Sequence, residues 1–176
     1  MDDPGEWFDV VDARDRVIGR AQRREVHARG LLHRAVHVLV QRGDGQVFLQ
    51  QRSPGKDTHP GCWDSSASGH LDCGESYERA AVRELEEELG IAGLPVRLLG
   101  CLPASVRTGQ EFVRVYTASH EGPFRLHPEE IADGRWIAPG ELADWLAARP
   151  ADFPPCFHEV WRLAGPQLDH LSPSEK

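Results

Sequence analysis

Residues 69–91 read GHLDCGESYERAAVRELEEELGI, the most strongly patterned stretch of the chain. From Glu75 to Gly90 it predicts a helix. Ala80, Ala81, Leu85 and Leu89 fall on one apolar stripe at helical spacing, and Gly90 stands where a C-cap glycine belongs. The same helix places Glu84, Glu86, Glu87 and Glu88 directly after Arg83. Like charges four apart, as Glu84 and Glu88 are, cost a helix a few tenths of a kcal/mol, roughly 0.2–0.5. At about 100° per residue, Glu84, Glu87 and Glu88 share one face and Glu86 points away. A charged face of this kind is commonly just solvated. Three carboxylates on one face are also the oxygen ligands that a hard divalent cation such as Mg²⁺ or Mn²⁺ accepts. Arg83, four residues before Glu87, could hold that glutamate by an ion pair.

The spacing decides between the two. Gly69 is followed after five residues by Glu75, then after seven by Arg83-Glu84-Leu85, then by Glu87-Glu88 and Gly90-Ile91. This resembles the Nudix box, Gly-x5-Glu-x7-Arg-Glu-U-x-Glu-Glu-x-Gly-U, at every specified position, with U an aliphatic residue. The resemblance implies an α/β class chain, a Nudix α/β/α sandwich with a mixed β-sheet. It also implies a strand–loop–helix cradle for Mg²⁺ or Mn²⁺, and cleavage of a diphosphate (pyrophosphate) linkage, typically in a nucleoside diphosphate derivative. Carried over by position, Glu84, Glu87 and Glu88 would be metal ligands, one of them a general base, with the Gly69 carbonyl a further ligand. Glu75 would orient the helix and Arg83, and Arg83 would hold a glutamate in place. The chemistry agrees with the residues: a bound divalent cation neutralises pyrophosphate and lowers the pKa of an attacking water.

The rest of the chain is consistent with one soluble enzyme domain. Its 176 residues are 40% hydrophobic and 27% charged, enough for a full core without disulfides. The net charge of −8 argues against a nucleic-acid polymer or an anionic membrane as partner, while leaving room for a local basic pocket that takes a small-molecule diphosphate. The start, MDDPGEWFDVVD, lacks the features of a secretory signal, and no apolar run is long enough to span a bilayer. Cys62, Cys73, Cys101 and Cys156 form no Cys-x-x-Cys pair, so a reducing, cytoplasmic location is expected.

Turn signals divide the chain further. A hairpin is expected from WFDVVD and RVIGRAQ, then a short helix or irregular crossing over REVHARGLLHR. A stronger hairpin should follow from RAVHVLVQR and QVFLQQR around Gly43, Asp44 and Gly45. SPGKDTHPGCWD reads as a loop and WDSSASGHL as a short strand. VRLLGCL, EFVRVYTASH and GRWI read as strands, PGELADWLAAR and CFHEVWRLAG as helices. We expect residues 1–30 to form an N-terminal hairpin extension packed on the domain, 31–165 the domain itself and 166–176 a flexible tail.

A second resemblance concerns REVHARGLLHRAVHVLV, QQRSPGK and PGCWDSSASGH, which are similar to the Nudix branch that contains isopentenyl-diphosphate isomerase. That enzyme carries a catalytic cysteine just before its Gly-His pair, where this chain has Ser68. A serine hydroxyl is a poor proton donor or acceptor near neutral pH compared with a thiol. Bacterial isomerases also lose the acids corresponding to Glu84 and Glu87, which this chain keeps. Both differences favour hydrolysis over isomerisation, and the intact box counts against the other alternative, a catalytically weak Nudix-fold ligand-binding module, which has no need for every metal carboxylate. By the same resemblance Glu111 is a catalytic or metal-binding glutamate, Arg52 and Lys56 contact the diphosphate, and His27, His33 and His70 bind a second divalent metal. A lone histidine such as His70 is otherwise more often structural. His37, alternating with Val36 and Val38, reads as a half-buried strand residue. Trp63 and Trp136 are candidates for stacking on a base, although buried anchors are the commoner role.

Overall fold

The computed structural model describes residues 5–168. The N-terminal hairpin forms as expected: β1 (Trp7–Val11) and β2 (Val17–Gln22) pair antiparallel as a separate two-stranded sheet. Asp12 makes its turn, its Oδ1 accepting the N–H groups of Arg14 and Arg16 at 2.8 and 3.0 Å. Helix α1 (Arg23–Arg29) follows and is closed by Gly30 in the left-handed region. Phe8, Ala21 and Val26 bury one another in a small core of their own.

Then come β3 (His33–Gln41), β4 (Val47–Arg52), β5 (Trp63–Asp64), β6 (Ala67–His70), α2 (Tyr77–Leu89), β7 (Arg97–Leu102), β8 (Glu111–Ser119), β9 (Ile131–Ile137), α3 (Pro139–Ala148) and α4 (Pro155–Leu168). The large sheet runs β5-β4-β3-β8-β7, with β6 on β3 and β9 on β4. It is mixed: β3 and β8 are parallel, and the other pairs are antiparallel.

Strand alternation builds the three layers. On β3, Val36, Val38 and Val40 face α2, where they meet Ala80, Ala81, Leu85 and Leu89. Ala35 and Leu39 face the opposite side and pack with Leu142 of α3 and Phe157, Val160 and Ala164 of α4. The result is an α/β/α sandwich with a mixed sheet. Helix α2 has both ends fixed. Ser76 accepts the Arg79 N–H at its start, and Gly90, at φ 73°, lets the N–H of Ile91 reach back to the Leu85 carbonyl.

Three details differ from the sequence-based expectations. The β3–β4 hairpin is in register only at Gln41 and Val47. Beyond that point the strands fork, β3 taking β6 as neighbour and β4 taking β9 and β5. Ser66 stitches the fork: its Oγ accepts the Val40 N–H at 2.8 Å and donates to the Phe48 carbonyl at 2.5 Å. The strand expected over 63–71 is accordingly two short strands, β5 and β6, broken at the fully buried Ser65 and Ser66. Finally, α4 runs through Leu168, which is buried, so Pro166–Leu168 belong to this helix instead of the expected tail. The rest of that segment, 169–176, lies outside the described residues.

Candidate active site

Strand β6, the loop after it and α2 hold the box residues together, with Arg83 at the centre. Its Nε and Nη2 donate to the two oxygens of Glu75, each at 2.8 Å. Its Nη1 donates to Glu84 Oε1 at 2.8 Å and to Glu87 Oε2 at 3.2 Å. A further Nη2 bond reaches the His70 carbonyl at 3.0 Å. The expected Arg83–Glu87 contact is therefore present but secondary. The bidentate Glu75 pair is the stronger type, and Glu87, with its side chain 56% exposed, gains little from the arginine, about 0.3–0.5 kcal/mol for a pair of this spacing.

Glu84 and Glu88 are buried, whereas Glu86 and Glu87 are exposed. The Glu84 carboxylate lies directly over Gly69, and a Cβ at that position would overlap it. Glu88 accepts from Gln50 Nε2 at 2.8 Å and from the Ser68 N–H at 2.9 Å. Burial pushes the Glu84 carboxyl well above the usual range, and the neighbouring Glu88 charge adds to the effect. Burial likewise pushes Glu88 up to about 7, with the Gln50 and Ser68 donors pulling the other way. Arg83 pairs with Glu84 but Glu88 has only the neutral donors Gln50 and Ser68 in contact, so the two buried carboxylates are under-compensated. A hard divalent cation with oxygen ligands fits that deficit.

A second group stands beside it. The ligand atoms of His27, His33, His70 and Glu111 all lie within 4.8 Å of one another. His33 Nδ1 donates to the Leu31 carbonyl at 2.8 Å, which turns Nε2 towards the cluster. That Nε2 is buried without a hydrogen-bond partner among the described residues, and it faces Glu111 Oε1 at 3.4 Å. An unpartnered ring nitrogen beside a carboxylate is a pair of groups that a divalent cation can take as ligands. His70 Nε2 is 2.7 Å from the same Glu111 oxygen, and its Nδ1 is 3.0 Å from Arg23 Nη1. Partial burial, then the charges of His70, Arg23 and His33, hold His27 down to about 4. Burial also lowers His70. Neutral imidazoles are the form that a metal takes.

Both groups open onto one cavity of about 850 Å³. Gly69, Arg83, Glu84, Glu87, Glu88 and Glu111 line it, as do His27, His70, Arg52 and Lys56, with His33 buried behind the wall. The two cations are already engaged. Arg52 donates Nε and Nη2 to the Thr58 carbonyl at 3.1 and 2.9 Å, and Lys56 pairs with Glu130. Trp63 and Trp136 do not line the cavity. Trp63 packs on Trp145, and Trp136 packs on Phe48 and Phe124. His37 is more buried than a half-buried strand residue, at 6% exposure, and reaches the cavity floor. Gln50, Arg23 and Asp64 were not singled out in the sequence. Their only signals are polar residues inside otherwise apolar strands and one arginine among several.

Comparison with known proteins identifies the family and the fold. The NUDIX domain model matches residues 31–156. A Nudix hydrolase of Yersinia pestis is 38% identical over 150 residues, covering 85% of this chain and 80% of its own. YfcD of Escherichia coli K12, also named a Nudix hydrolase, is 34% identical over 150 residues, covering 85% and 81%. Among solved structures, DR0079 from Deinococcus radiodurans superposes with a TM-score of 0.78 at 30% identity, covering 90% of this chain and 99% of that one. The NUDIX domain of Shewanella oneidensis NrtR, solved with ADP ribose, has the same fold, with a TM-score of 0.62 at 21% identity over 78% and 88% of the two chains. The chain belongs to the Nudix family. It is a Nudix hydrolase, an enzyme acting on pyrophosphate bonds. Among the described residues no helix is long and apolar enough to cross a membrane.

Proposed function

We propose that the protein cleaves a diphosphate linkage in a small nucleoside diphosphate derivative, in a Mg²⁺- or Mn²⁺-dependent reaction, by attack of water at phosphorus. The observation that carries this reading is the pair of buried, under-compensated carboxylates Glu84 and Glu88 on the cavity wall, with Glu87 beside them at the solvent edge. Glu84, Glu87, Glu88 and the Gly69 carbonyl would hold the cation. When bound, it neutralises the diphosphate and acidifies the attacking water.

The chain's own residues do the rest. Arg83 keeps Glu84 turned towards Gly69, and Glu75 keeps Arg83 in place. Gln50 and the Ser68 N–H fix both oxygens of Glu88, leaving the exposed Glu87 as the carboxylate best able to accept a proton from water. Arg52 and Lys56 lie where phosphate oxygens would lodge, Lys56 exchanging its Glu130 partner for them. His27, His33, His70 and Glu111 would hold a second divalent ion, a role supported by the orphaned His33 Nε2. Glu111 thereby borders the reacting group. Isomerisation has less support: Ser68 offers no thiol, and its N–H is spent on Glu88.

The test is a panel of nucleoside di- and triphosphates, ADP-ribose, dinucleotide polyphosphates and isopentenyl diphosphate, assayed for phosphate or pyrophosphate release with Mg²⁺ and with Mn²⁺. Metal-dependent release that disappears in Glu87→Gln is the expected outcome. Conversion of isopentenyl to dimethylallyl diphosphate without phosphate release would overturn the assignment.

A further inference from the structure

The cavity floor carries a carboxylate that the chemistry above leaves unused. Asp64, at the end of β5, is 4% exposed and lines the cavity. Its Oδ1 accepts the Ser65 N–H at 2.8 Å. Its Oδ2 stands 3.6 Å from Arg52 Nη1, beyond hydrogen-bond length, because that guanidinium is turned to Thr58. Beside it lies His37, its Nδ1 2.8 Å from Ser65 Oγ and 3.8 Å from Asp64 Oδ1. Among the described residues the His37 Nε2 meets only the Cys156 thiol, at 3.7 Å. Asp64 is not part of the histidine–glutamate cluster. Arg52 balances its charge without a hydrogen bond to Oδ2. Asp64 lines the cavity, so a donor on a bound molecule can reach this carboxylate from there.

Resting on the diphosphate-hydrolase reading above, we propose that Asp64 is a specificity-determining residue. Its Oδ2 accepts a hydrogen bond from an amino or hydroxyl group on the organic part of the substrate, and the Ser65 N–H holds its other oxygen in place. The cavity would then select diphosphates whose organic part bears such a donor over those whose organic part is purely hydrocarbon. A site built to pair with a polar group rejects the analogue that lacks it, because its own buried group is left unpaired.

Calorimetry with Ca²⁺ in place of Mg²⁺ tests this directly, using ADP, CDP and ADP-ribose as donor-bearing ligands and isopentenyl diphosphate as the donor-free one. The unmutated protein should bind its best donor-bearing ligand at least about 10-fold more tightly than isopentenyl diphosphate. In Asp64→Asn that ratio should shrink by about 10- to 100-fold, the factor carried by a hydrogen bond to a charged group. An unchanged ratio in the variant overturns the proposal, and so does an equal loss for every ligand, which would make Asp64 only a support for Arg52. Should Asp64→Asn fail to fold, the ranking in the unmutated protein decides alone, and equal affinities overturn the proposal. Failure of the hydrolase reading looks different: ligands bind with the selectivity described, yet none is cleaved with Mg²⁺ or Mn²⁺.

Discussion

Replacing Gly69 with alanine should disable the site while leaving the fold standing. Gly69 has no left-handed φ, so the backbone accepts alanine, and a Gly→Ala change at such a place ordinarily stabilises by about 0.4–1 kcal/mol. Here the added Cβ would overlap the Glu84 carboxylate. Glu84 must swing away and break its 2.8 Å bond to Arg83 Nη1. A charge-assisted hydrogen bond is worth about 1.5–3 kcal/mol, and over-packing costs about 1–3 kcal/mol. Allowing for relaxation and for the gain from lost glycine entropy, a net destabilisation of about 1–3 kcal/mol is expected. Thermal melting of the metal-free variant reads this. Misplacing Glu84, a ligand in the proposed cation site, should lower turnover about 100-fold or more, since misplacement by roughly an ångström costs that much. A Gly69→Ala variant that melts at or above the unmutated protein and keeps its turnover would refute this placement of Glu84.

Leu85→Ala, which empties a fully buried position between α2 and the sheet, should cost about 2–5 kcal/mol in chemical denaturation. Gln50→Leu removes a donor from the buried Glu88 and should destabilise by about 1–3 kcal/mol, with cation affinity falling alongside in calorimetry. Mn²⁺ at about 100 times its Kd should stabilise the protein by about 2.7 kcal/mol per site, and His33→Ala should remove one site's share of that gain in a melting assay. A Mn²⁺-induced shift identical in His33→Ala would count against the second site.

The parts of the molecule visible in sequence are those set by local pattern. Helix α2 was legible from its apolar stripe and from Gly90 at its end, and the box carboxylates from their spacing. The β3–β4 turn was legible too, but the fork beyond it was not. Which strand sits beside Val36–Val38 depends on β6, some thirty residues further on, and on the Ser66 stitch. The histidine cluster could be suspected only by resemblance, because His27, His33, His70 and Glu111 come from four separate elements. Arg23 against His70, Gln50 against Glu88 and Asp64 on the cavity floor were illegible for the same reason. Each acquires its role from residues distant in sequence, and each residue type is usually found solvated. The tryptophans went the bland way, into the core clusters, because Trp63 and Trp136 each had aromatic neighbours to pack on.

The most direct measurement is hydrolysis in ¹⁸O-labelled water with Mg²⁺ or Mn²⁺, comparing the unmutated protein with Glu87→Gln. One ¹⁸O atom should enter a phosphate-containing product at each turnover, with incorporation lost on chelation and at least about 100-fold slower in the variant, the scale on which a missing general base is felt. Product that forms without label in its phosphate, or labelling that persists unchanged in Glu87→Gln and in EDTA, would contradict cation-dependent attack of water at phosphorus.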